Sequence, residues 1–354
     1  MATIRRTRVH FRAVKVFGVL ALVCALSATT PASATTPGDN GRIAFKGYLD
    51  SDRSTGAIFT IRPDGTHARQ ITSPPAGTAD DQPDWAPDGS LIAFRRCLPD
   101  VPCAIYTVRP DGTRLRSLSP PCNATPPNFE TCADETDVAF MPDGRHVVFT
   151  RATGSVREFP NGEASIEHSD IVIRDLSGEH QRVVLRSRPF SGDNGQMVSS
   201  PDGRYIAFVR HNSPIAEPAG GEAIFVMRSN GSHLRRITPW SQRAGDHPDW
   251  SPDGHWILFR APDNGDFLDS QLYVIHPNGS GLRQVTHVSA ETMLLSSSFS
   301  PDGRRIVYSQ TGRAGQPDIF TSRVDGGDVR QVTRTALWES APDWGAQGGH
   351  VSHH

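Results

Sequence analysis

The sequence predicts an all-β protein in which one four-stranded antiparallel unit is repeated along most of the chain. Five Pro-Asp-Gly turns stand at nearly even intervals of 55, 59, 51 and 49 residues, and a period of this length indicates one repeated supersecondary unit. A short apolar segment follows each of these turns, as in residues 91–94, and a second Gly-containing turn such as Asn230-Gly231 follows that segment. The five turns of this series begin at Pro87, Pro142, Pro201, Pro252 and Pro301, and two further Pro-Asp-Gly triplets, at residues 63–65 and 110–112, are second turns of their units.

Both turns of the unit favour a tight reversal between two strands. Proline sets φ at the first corner, aspartate accepts a hydrogen bond from the nearby backbone, and glycine supplies a positive φ. Asp-Gly and Asn-Gly between β-segments are strong hairpin signals. Each unit therefore predicts four strands, and four-stranded antiparallel units repeated radially form the blades of a β-propeller.

The two ends of the repeated region predict how the ring closes. The first copy, residues 40–45, has no opening strand before it, whereas residues 340–345 match the opening strands at residues 82–85 and 247–250. We therefore predict a six-bladed β-propeller with four-stranded antiparallel blades. Its ring is closed by a C-terminal strand that completes blade one and so removes an exposed sheet edge.

The repeat resembles the WD-like β-propeller repeat of the TolB family. The motifs that carry the resemblance are Pro-Asp-Trp-Ser-Pro-Asp-Gly at residues 248–254, Ile-Ala-Phe at residues 206–208, and the segment from Asp64 to Thr72. The resemblance covers residues 38–345 and implies protein–protein contacts. A full TolB also has an N-terminal α/β domain, which we expect this chain to lack.

The first 34 residues have the pattern of an export signal. A basic region ends at Lys15, the apolar stretch from Val16 to Leu26 is too short to span a membrane, and Ala32-Ser33-Ala34 suits cleavage. We expect residues 1–34 to be a signal peptide, with a retained N-terminal membrane anchor as the alternative.

Removal of this leader changes the charge of the chain from −2 to −7, because the leader carries five basic and no acidic residues. A mildly acidic protein argues against nucleic-acid binding, which needs a basic face. We expect residues 35–345 to form the propeller and residues 346–354 a disordered His-containing tail. The mature protein should be a monomer without a stable membrane span, secreted or held in the cell envelope or periplasm.

Four cysteines remain after the leader, and an even number in an exported chain favours disulfides. Proximity along the chain favours the pairs Cys97–Cys103 and Cys122–Cys132, although three connectivities are possible. The alternative is a zinc site made by all four cysteines, for which the spacing lacks the usual Cys-x-x-Cys pattern.

The predicted loops differ between the two faces of the propeller. The hairpin turns within each unit are minimal and lie on one face, whereas the remaining connections, such as residues 120–137 and 151–170, are long and lie on the other. We call the second the long-loop face. Binding residues are often carried by loops on a rigid scaffold, which favours this face, although long loops can also be tolerated insertions.

The innermost strands begin on the long-loop face, so the residues near their starts should surround the channel mouth. The residues five positions before each turn proline, or at the matching place near the C-terminus, are Gln82, Asp137, Gln196, His247, Ser296 and Ala341. From these and their neighbours, the candidate binding residues are Asp81, Gln82, Glu135, Asp137, Asn194, Gln196, Asp246, His247 and Glu339. We expect no cofactor, with Ca²⁺ or another divalent cation at the mouth, or a merely hydrated channel, as alternatives. The Pro-Asp-Gly aspartates, by contrast, are predicted to be structural turn caps.

The sequence contains no Gly-x-Ser-x-Gly, His-Glu-x-x-His or phosphate-loop motif, so we assign no catalytic residues. The main hypothesis is an exported, non-catalytic binding module that recognises a protein or cell-envelope ligand through the long-loop face and channel mouth. The alternative is a metal-dependent carbohydrate-active enzyme similar to oligogalacturonate lyases, with a site in the channel at Gln82, Gln196 and His247. A purely structural envelope protein is a third possibility.

Overall fold

A computed structural model describes residues 37–99, 101–122, 131–158, 164–212, 221–263, 266–312 and 315–348. These residues form twenty-four β-strands and one 3-10 helix, Trp240–Gln242. The predicted signal peptide, residues 1–34, lies outside the described residues, as does the tail from residue 349 onward. The all-β class is confirmed.

Four of the sheets have four antiparallel strands each, in chain order or its reverse. The first contains β8 (Asp134–Phe140), β9 (His146–Glu158), β10 (Ala164–Asp175) and β11 (Gln181–Leu185). The second contains β12 (Asn194–Ser199), β13 (Tyr205–His211), β14 (Glu222–Arg228) and β15 (Arg235–Arg236). The third contains β16 (Gly245–Trp250), β17 (Ile257–Asp263), β18 (Asp266–Ile275) and β19 (Arg283–Gln284). The fourth contains β20 (Thr292–Phe299), β21 (Arg305–Gly312), β22 (Asp318–Arg323) and β23 (Arg330–Gln331).

The fifth sheet has eight strands and contains two further four-stranded groups. One group joins the two ends of the chain: β24 (Glu339–Ala346), β1 (Asn40–Tyr48), β2 (Gly56–Ile61) and β3 (Arg69–Gln70). The other is β4 (Ala79–Trp85), β5 (Ile92–Cys97), β6 (Ala104–Val108) and β7 (Arg116–Ser117). A single parallel pairing, Gly56 with Ala79, connects the two groups. The predicted antiparallel pairing of the C-terminal strand with the first strand is present, with Ile43 opposite Trp344.

The core lies between consecutive four-stranded groups. One cluster packs Ile43 and Trp344 of the first group against Val307 and Ile319 of β21 and β22. The next packs Ile58 of β2 against Trp85 and its neighbours in β4 to β6. Because each fully buried large apolar side chain contributes about 1.5–3 kcal/mol, packing between sheets is the main source of stability.

The Pro-Asp-Gly aspartates cap their own turns, as predicted. Asp88 Oδ1 accepts a hydrogen bond from the Ser90 backbone N–H at 2.9 Å, and Gly89 has a φ of 68°. The same backbone contact is made by the aspartates of the other four turns, Asp143, Asp202, Asp253 and Asp302. These residues therefore act in the scaffold.

Both predicted disulfides are present. Cys97 pairs with Cys103 across a Cα–Cα distance of 4.2 Å, and Cys122 pairs with Cys132 across 5.7 Å. The four cysteines are thus consumed in disulfides, and the alternative of a four-cysteine zinc site is wrong.

Candidate functional site

The opening strand of several four-stranded groups contains a β-bulge at one common position. The register of β4 shifts between Asp81 and Asp84, and β8, β12, β16, β20 and β24 shift at matching places. Bulges redirect a side chain relative to a regular strand. Non-glycine residues with left-handed φ occupy five of these repeat positions: Gln82 (53°), Asp137 (54°), Gln196 (52°), His247 (43°) and Ala341 (51°).

The bulges bring four predicted residues, Gln82, Asp137, Gln196 and His247, together around one cavity of about 70 Å³. Gln82 Nε2 donates a hydrogen bond to Asp137 Oδ1 at 3.0 Å and lies 3.1 Å from His247 Nε2. Gln196 Oε1 accepts the backbone N–H of His247 at 2.8 Å. One hydrogen-bonded network therefore joins four separate groups of strands, and a cavity of this size holds only a few water molecules.

The Gln82 side chain links Asp137 to His247. Its amide nitrogen can only donate, so in this arrangement His247 Nε2 is the acceptor of the contact. Gln82 Oε1 is buried and has no hydrogen-bond donor among the described residues. The network therefore contains one carbonyl oxygen with unused acceptor capacity.

Asp81 lies beside this network and is held by two cations. Lys46 Nζ and Arg95 Nη2 each lie 3.0 Å from Asp81 Oδ2, and Asp81 Oδ1 accepts the Gln82 backbone N–H at 2.8 Å. Burial alone would raise the pKa of the Asp81 carboxyl, but Lys46 and Arg95 outweigh it and hold that pKa below its usual value. Asp81 is therefore an ionised anchor for the two basic side chains.

A second cavity of about 270 Å³ lies above the network and is lined by Lys46, Arg53, Asp81, Arg95 and Trp338, among others. We call it the mouth pocket. The guanidinium carbon of Arg53 lies 4.3 Å from the centre of the Trp338 ring. Gln82 and His247 line both cavities, so the mouth pocket and the channel cavity share a boundary.

Three of the predicted binding residues do not line the channel cavity. Glu135 is bound by Arg174 through two contacts of 2.6 Å, and Asn194 Oδ1 accepts from Arg210 Nε at 2.7 Å. Glu339 is 6% exposed and accepts from Thr335. Each lies two residues before its bulge position, where the side chain turns into the packed sheets. The backbone of Asp246 belongs to β16, but its side chain lies outside the described structure.

The sequence reasoning missed three aspartates of the Pro-Asp-Trp motif, which link neighbouring groups of strands. Asp84 Oδ2 accepts the Phe140 backbone N–H at 2.7 Å, and Asp249 Oδ2 accepts that of Phe299 at 2.7 Å. Asp343 does the same for Trp85 at 2.8 Å. The three line the channel cavity together. Their recurrence before Trp85, Trp250 and Trp344 was the available signal.

Burial raises the pKa of two of these aspartates, Asp84 and Asp343. Burial, together with the charges of Asp343 and Asp249, raises the pKa of Asp84 well above its ordinary value. Burial likewise raises the pKa of Asp343, against hydrogen bonds from the Trp85 N–H and Ser298 that lower it. A buried carboxyl of this kind accepts hydrogen bonds from its neighbours without requiring a cation.

Within the described ranges, no group of three or more His, Cys, Asp or Glu side chains is placed to hold an ion. Both carboxylate oxygens of Asp137 already accept hydrogen bonds, from Gln82 and Thr136. Among the same residues, no helix is long and apolar enough to cross a membrane.

No protein-family model matches the chain. It is 28% identical over 162 residues to the Tol-Pal system protein TolB of Bordetella pertussis, an alignment that covers 45% of this chain and 33% of the relative. TolB of Bordetella bronchiseptica matches equally well. The chain thus spans about a third of the length of these curated relatives.

Solved structures show the same fold. TolB from Acinetobacter baumannii superposes with a TM-score of 0.65 at 19% identity, over 88% of this chain and 68% of the other. A chain of the nidogen–laminin complex gives 0.59 at 10% identity, over 85% and 98%. Oligogalacturonate lyase from Vibrio parahaemolyticus gives 0.51 at 13%, over 86% and 78%. The chain therefore has a β-propeller fold like that of TolB, and part of it is similar to TolB in sequence.

Proposed function

We propose that this protein is an exported, non-catalytic binding module that recognises a protein or cell-envelope ligand through its channel mouth and long-loop face. The observation that carries the proposal is the convergence of Gln82, Asp137, Gln196 and His247 from four groups of strands on one cavity. Their left-handed backbone conformations are uncommon for such residues. Strained backbone of this kind concentrates at ligand sites.

The proposed architecture is a closed ring of six blades, with β24 completing the first blade. Asp343 of β24 supports closure, because its carboxylate accepts hydrogen bonds from Ser298 of β20 and from the Trp85 backbone of β4. A closed ring keeps the mouth residues in place before a ligand arrives. Binding to a preformed site then loses less conformational entropy than binding that orders the site.

The proposed location is outside the cytoplasm, secreted or in the cell envelope or periplasm, and the proposed state is a monomer. Two disulfides support export, because disulfides persist mainly in oxidising compartments. The leader at residues 1–34 supports the same location. The likeness to a protein named for the Tol-Pal system supports a protein ligand in the envelope.

Affinity capture from the envelope and culture fluid of the producing cell tests the proposal. The mouth variant carries Asp137→Asn, Gln196→Ala and His247→Ala, and a milder variant carries only the last two. A matched control carries Arg204→Ala, Arg228→Ala and Asn230→Ala around a pocket formed by the tight turns. Circular dichroism and thermal unfolding establish that each variant is folded.

We expect the mouth variants to lose the captured partner and the tight-turn control to retain it. The reason is that only the mouth substitutions remove the hydrogen-bonding groups that line the channel cavity. Equal capture by folded mouth and control variants would refute the proposal.

A metal-dependent carbohydrate-active enzyme is the second candidate, because Gln82, Gln196 and His247 do line one cavity. Elemental analysis of protein purified without chelator separates the two candidates. The binding module should contain less than about 0.1 equivalents of any divalent metal, since tight metal binding needs several converging ligands and the described residues contain no group of three or more His, Cys, Asp or Glu side chains placed to hold an ion. One equivalent that is lost in the His247→Ala variant would favour the enzyme.

A further inference from the structure

The mouth pocket contains more positive than negative charge on its described side chains. Lys46, Arg53 and Arg95 line it, whereas Asp81 is the one acidic residue among the described residues of its lining. Lys46 is notable because the chain has no other lysine after residue 15. A lysine and two arginines that line one pocket can bind an anionic group of a ligand through charge-assisted hydrogen bonds.

The pocket's cations have hydrogen-bonding capacity that the protein does not use. Arg53 is exposed, stacks on Trp338, and makes no side-chain hydrogen bond or ion pair with the described residues. Lys46 is largely buried, makes one ion pair with Asp81 and lies 4.7 Å from the centre of the Tyr48 ring, although an ammonium group has three hydrogen-bond donors. The Nε of Arg95 is buried and has no acceptor in the described structure.

Arg95 is the cation already most engaged with acidic groups. Burial lowers its pKa, but Asp81, Asp137 and Asp134 raise that pKa above its usual value. The incoming anion would therefore take its strongest contacts from Arg53 and Lys46, with Arg95 behind them. The Trp338 ring holds the Arg53 guanidinium through a cation–π contact, which reduces the freedom lost on binding.

We propose that the mouth pocket binds a carboxylate of the partner protein, an acidic side chain seated between Arg53 and Lys46 against Trp338. This inference rests on the proposed binding function and specifies the chemistry of the group that is recognised. Arginine provides paired donors that match the two oxygens of a carboxylate, and lysine adds a compact charge.

The size of the pocket favours a side chain over an oligosaccharide. Its volume of about 270 Å³ lies below the range of about 300–1,000 Å³ that is usual for small-molecule sites. The adjoining channel cavity of about 70 Å³ is too small for a sugar ring. A peptide lying across the mouth can place one acidic side chain in the pocket while its backbone remains outside.

Lys46 allows a direct test, because acylation of its amine reports occupancy at one site. The protein is treated with N-hydroxysuccinimidyl acetate, alone and with an acetylated, amidated tetraglutamate peptide, and acetylation of Lys46 is followed by peptide mass spectrometry. The α-amino group is the internal standard. The matching tetraglutamine peptide and trigalacturonate are run in parallel.

Tetraglutamate should slow acetylation of Lys46 by about fivefold at a concentration of four times its Kd, by mass action, and should leave the α-amine unaffected. Tetraglutamine should have no effect. Equal protection by both peptides, or no protection by either, would overturn the inference. Protection by trigalacturonate alone would also overturn it and would favour a carbohydrate ligand.

Two arginine variants complete the test. Arg53→Ala should weaken tetraglutamate binding about tenfold, because a charge-assisted contact is lost. Arg236→Ala is the matched control, since Arg236 is also exposed and stacks on a tryptophan, Trp240, outside the pocket. If both variants bind tetraglutamate like the unsubstituted protein, Arg53 does not form the site and the inference fails.

The peptide measurements need no natural partner, so their outcome can contradict this inference without contradicting the proposed function, and the reverse also holds. If tetraglutamate protects Lys46 but no partner is captured, the proposed function is refuted and carboxylate binding by the mouth pocket is retained. If partner capture depends on Gln196 and His247 but tetraglutamate does not protect Lys46, the proposed function is retained and this inference is refuted.

Discussion

Replacing Glu339 by glutamine should stabilise the protein at alkaline pH and have little effect at acidic pH. Glu339 is 6% exposed, its Oε2 has no hydrogen-bond partner among the described residues, and Thr335 donates to its Oε1 at 3.1 Å. At the same repeat position, Asp80 is bound by Arg96 and Glu135 by Arg174. Among the described residues, no arginine binds Glu339 in this way.

The lack of a cation changes the ionisation of Glu339. Burial raises its pKa from 4.5 to about 7, assisted by the nearby charge of Asp318 and opposed by hydrogen bonds from Thr333 and Thr335. Because the folded pKa lies above the unfolded one, the protonated carboxyl contributes its full stability below pH 4.5. That contribution is lost as the pH rises through about 7.

The magnitude follows from the two pKa values. Each unit of difference corresponds to about 1.4 kcal/mol, so ionisation of Glu339 in the folded state costs about 3 kcal/mol at pH 8. The same relation gives about 0.4 kcal/mol at pH 4.5. Glutamine does not titrate, so the free energy of unfolding of the variant relative to the unsubstituted protein should rise by about 3 kcal/mol from pH 4.5 to pH 8.

Urea unfolding followed by tryptophan fluorescence at both pH values measures this difference. Glu135→Gln is the matched control, because it makes the same substitution at the same repeat position but leaves Arg174 buried and unpaired. It should destabilise the protein by about 3–5 kcal/mol at pH 8. A Glu339→Gln effect that is the same at pH 4.5 and pH 8 would refute the reasoning.

Two further predictions concern the scaffold. Asp343→Ala should destabilise the protein by about 1–3 kcal/mol, because the buried Trp85 N–H loses its acceptor. Asp343→Asn keeps an acceptor and should lose less, as measured by urea unfolding; an alanine variant as stable as the unsubstituted protein would contradict the ring-closing role. Thiol titration of the unfolded mature protein should find no free thiol before reduction and four after it, because two disulfides hold all four cysteines beyond the leader. One free thiol before reduction would show that Cys24, and with it the leader, is retained.

Much of the fold was predictable because its signals are local. Proline, aspartate and glycine set the turn geometry within a few residues, and Asp88 and its counterparts cap their turns as expected. Cys97 and Cys103 are separated by six positions, which makes their pairing favourable before any long-range structure forms. The all-β class, the four-stranded unit and both disulfides are therefore confirmed. The six-blade count and the ring closure stay predictions.

The residues of the candidate site could be predicted only in part from the sequence. The repeat position identified Gln82, Asp137, Gln196 and His247, which the structure places around one cavity. It also suggested Glu339, whose side chain is packed between strands instead. A bulge decides between these two outcomes, since one extra residue in a strand reverses the side to which the following side chains point.

The residues that define the repeat act on their immediate neighbours in the chain. The amino-acid sequence by itself was therefore sufficient to identify the four-stranded unit, its turns and the channel-mouth positions. Tertiary structure alone decided the charge environment of those positions. Lys46 and Asp81 meet across two groups of strands, and Arg53 reaches Trp338 from the opposite end of the chain. Such contacts depend on how strands from distant segments align, and the pKa of a carboxyl depends on whether that alignment supplies a cation, as for Asp81, or none, as for Glu339.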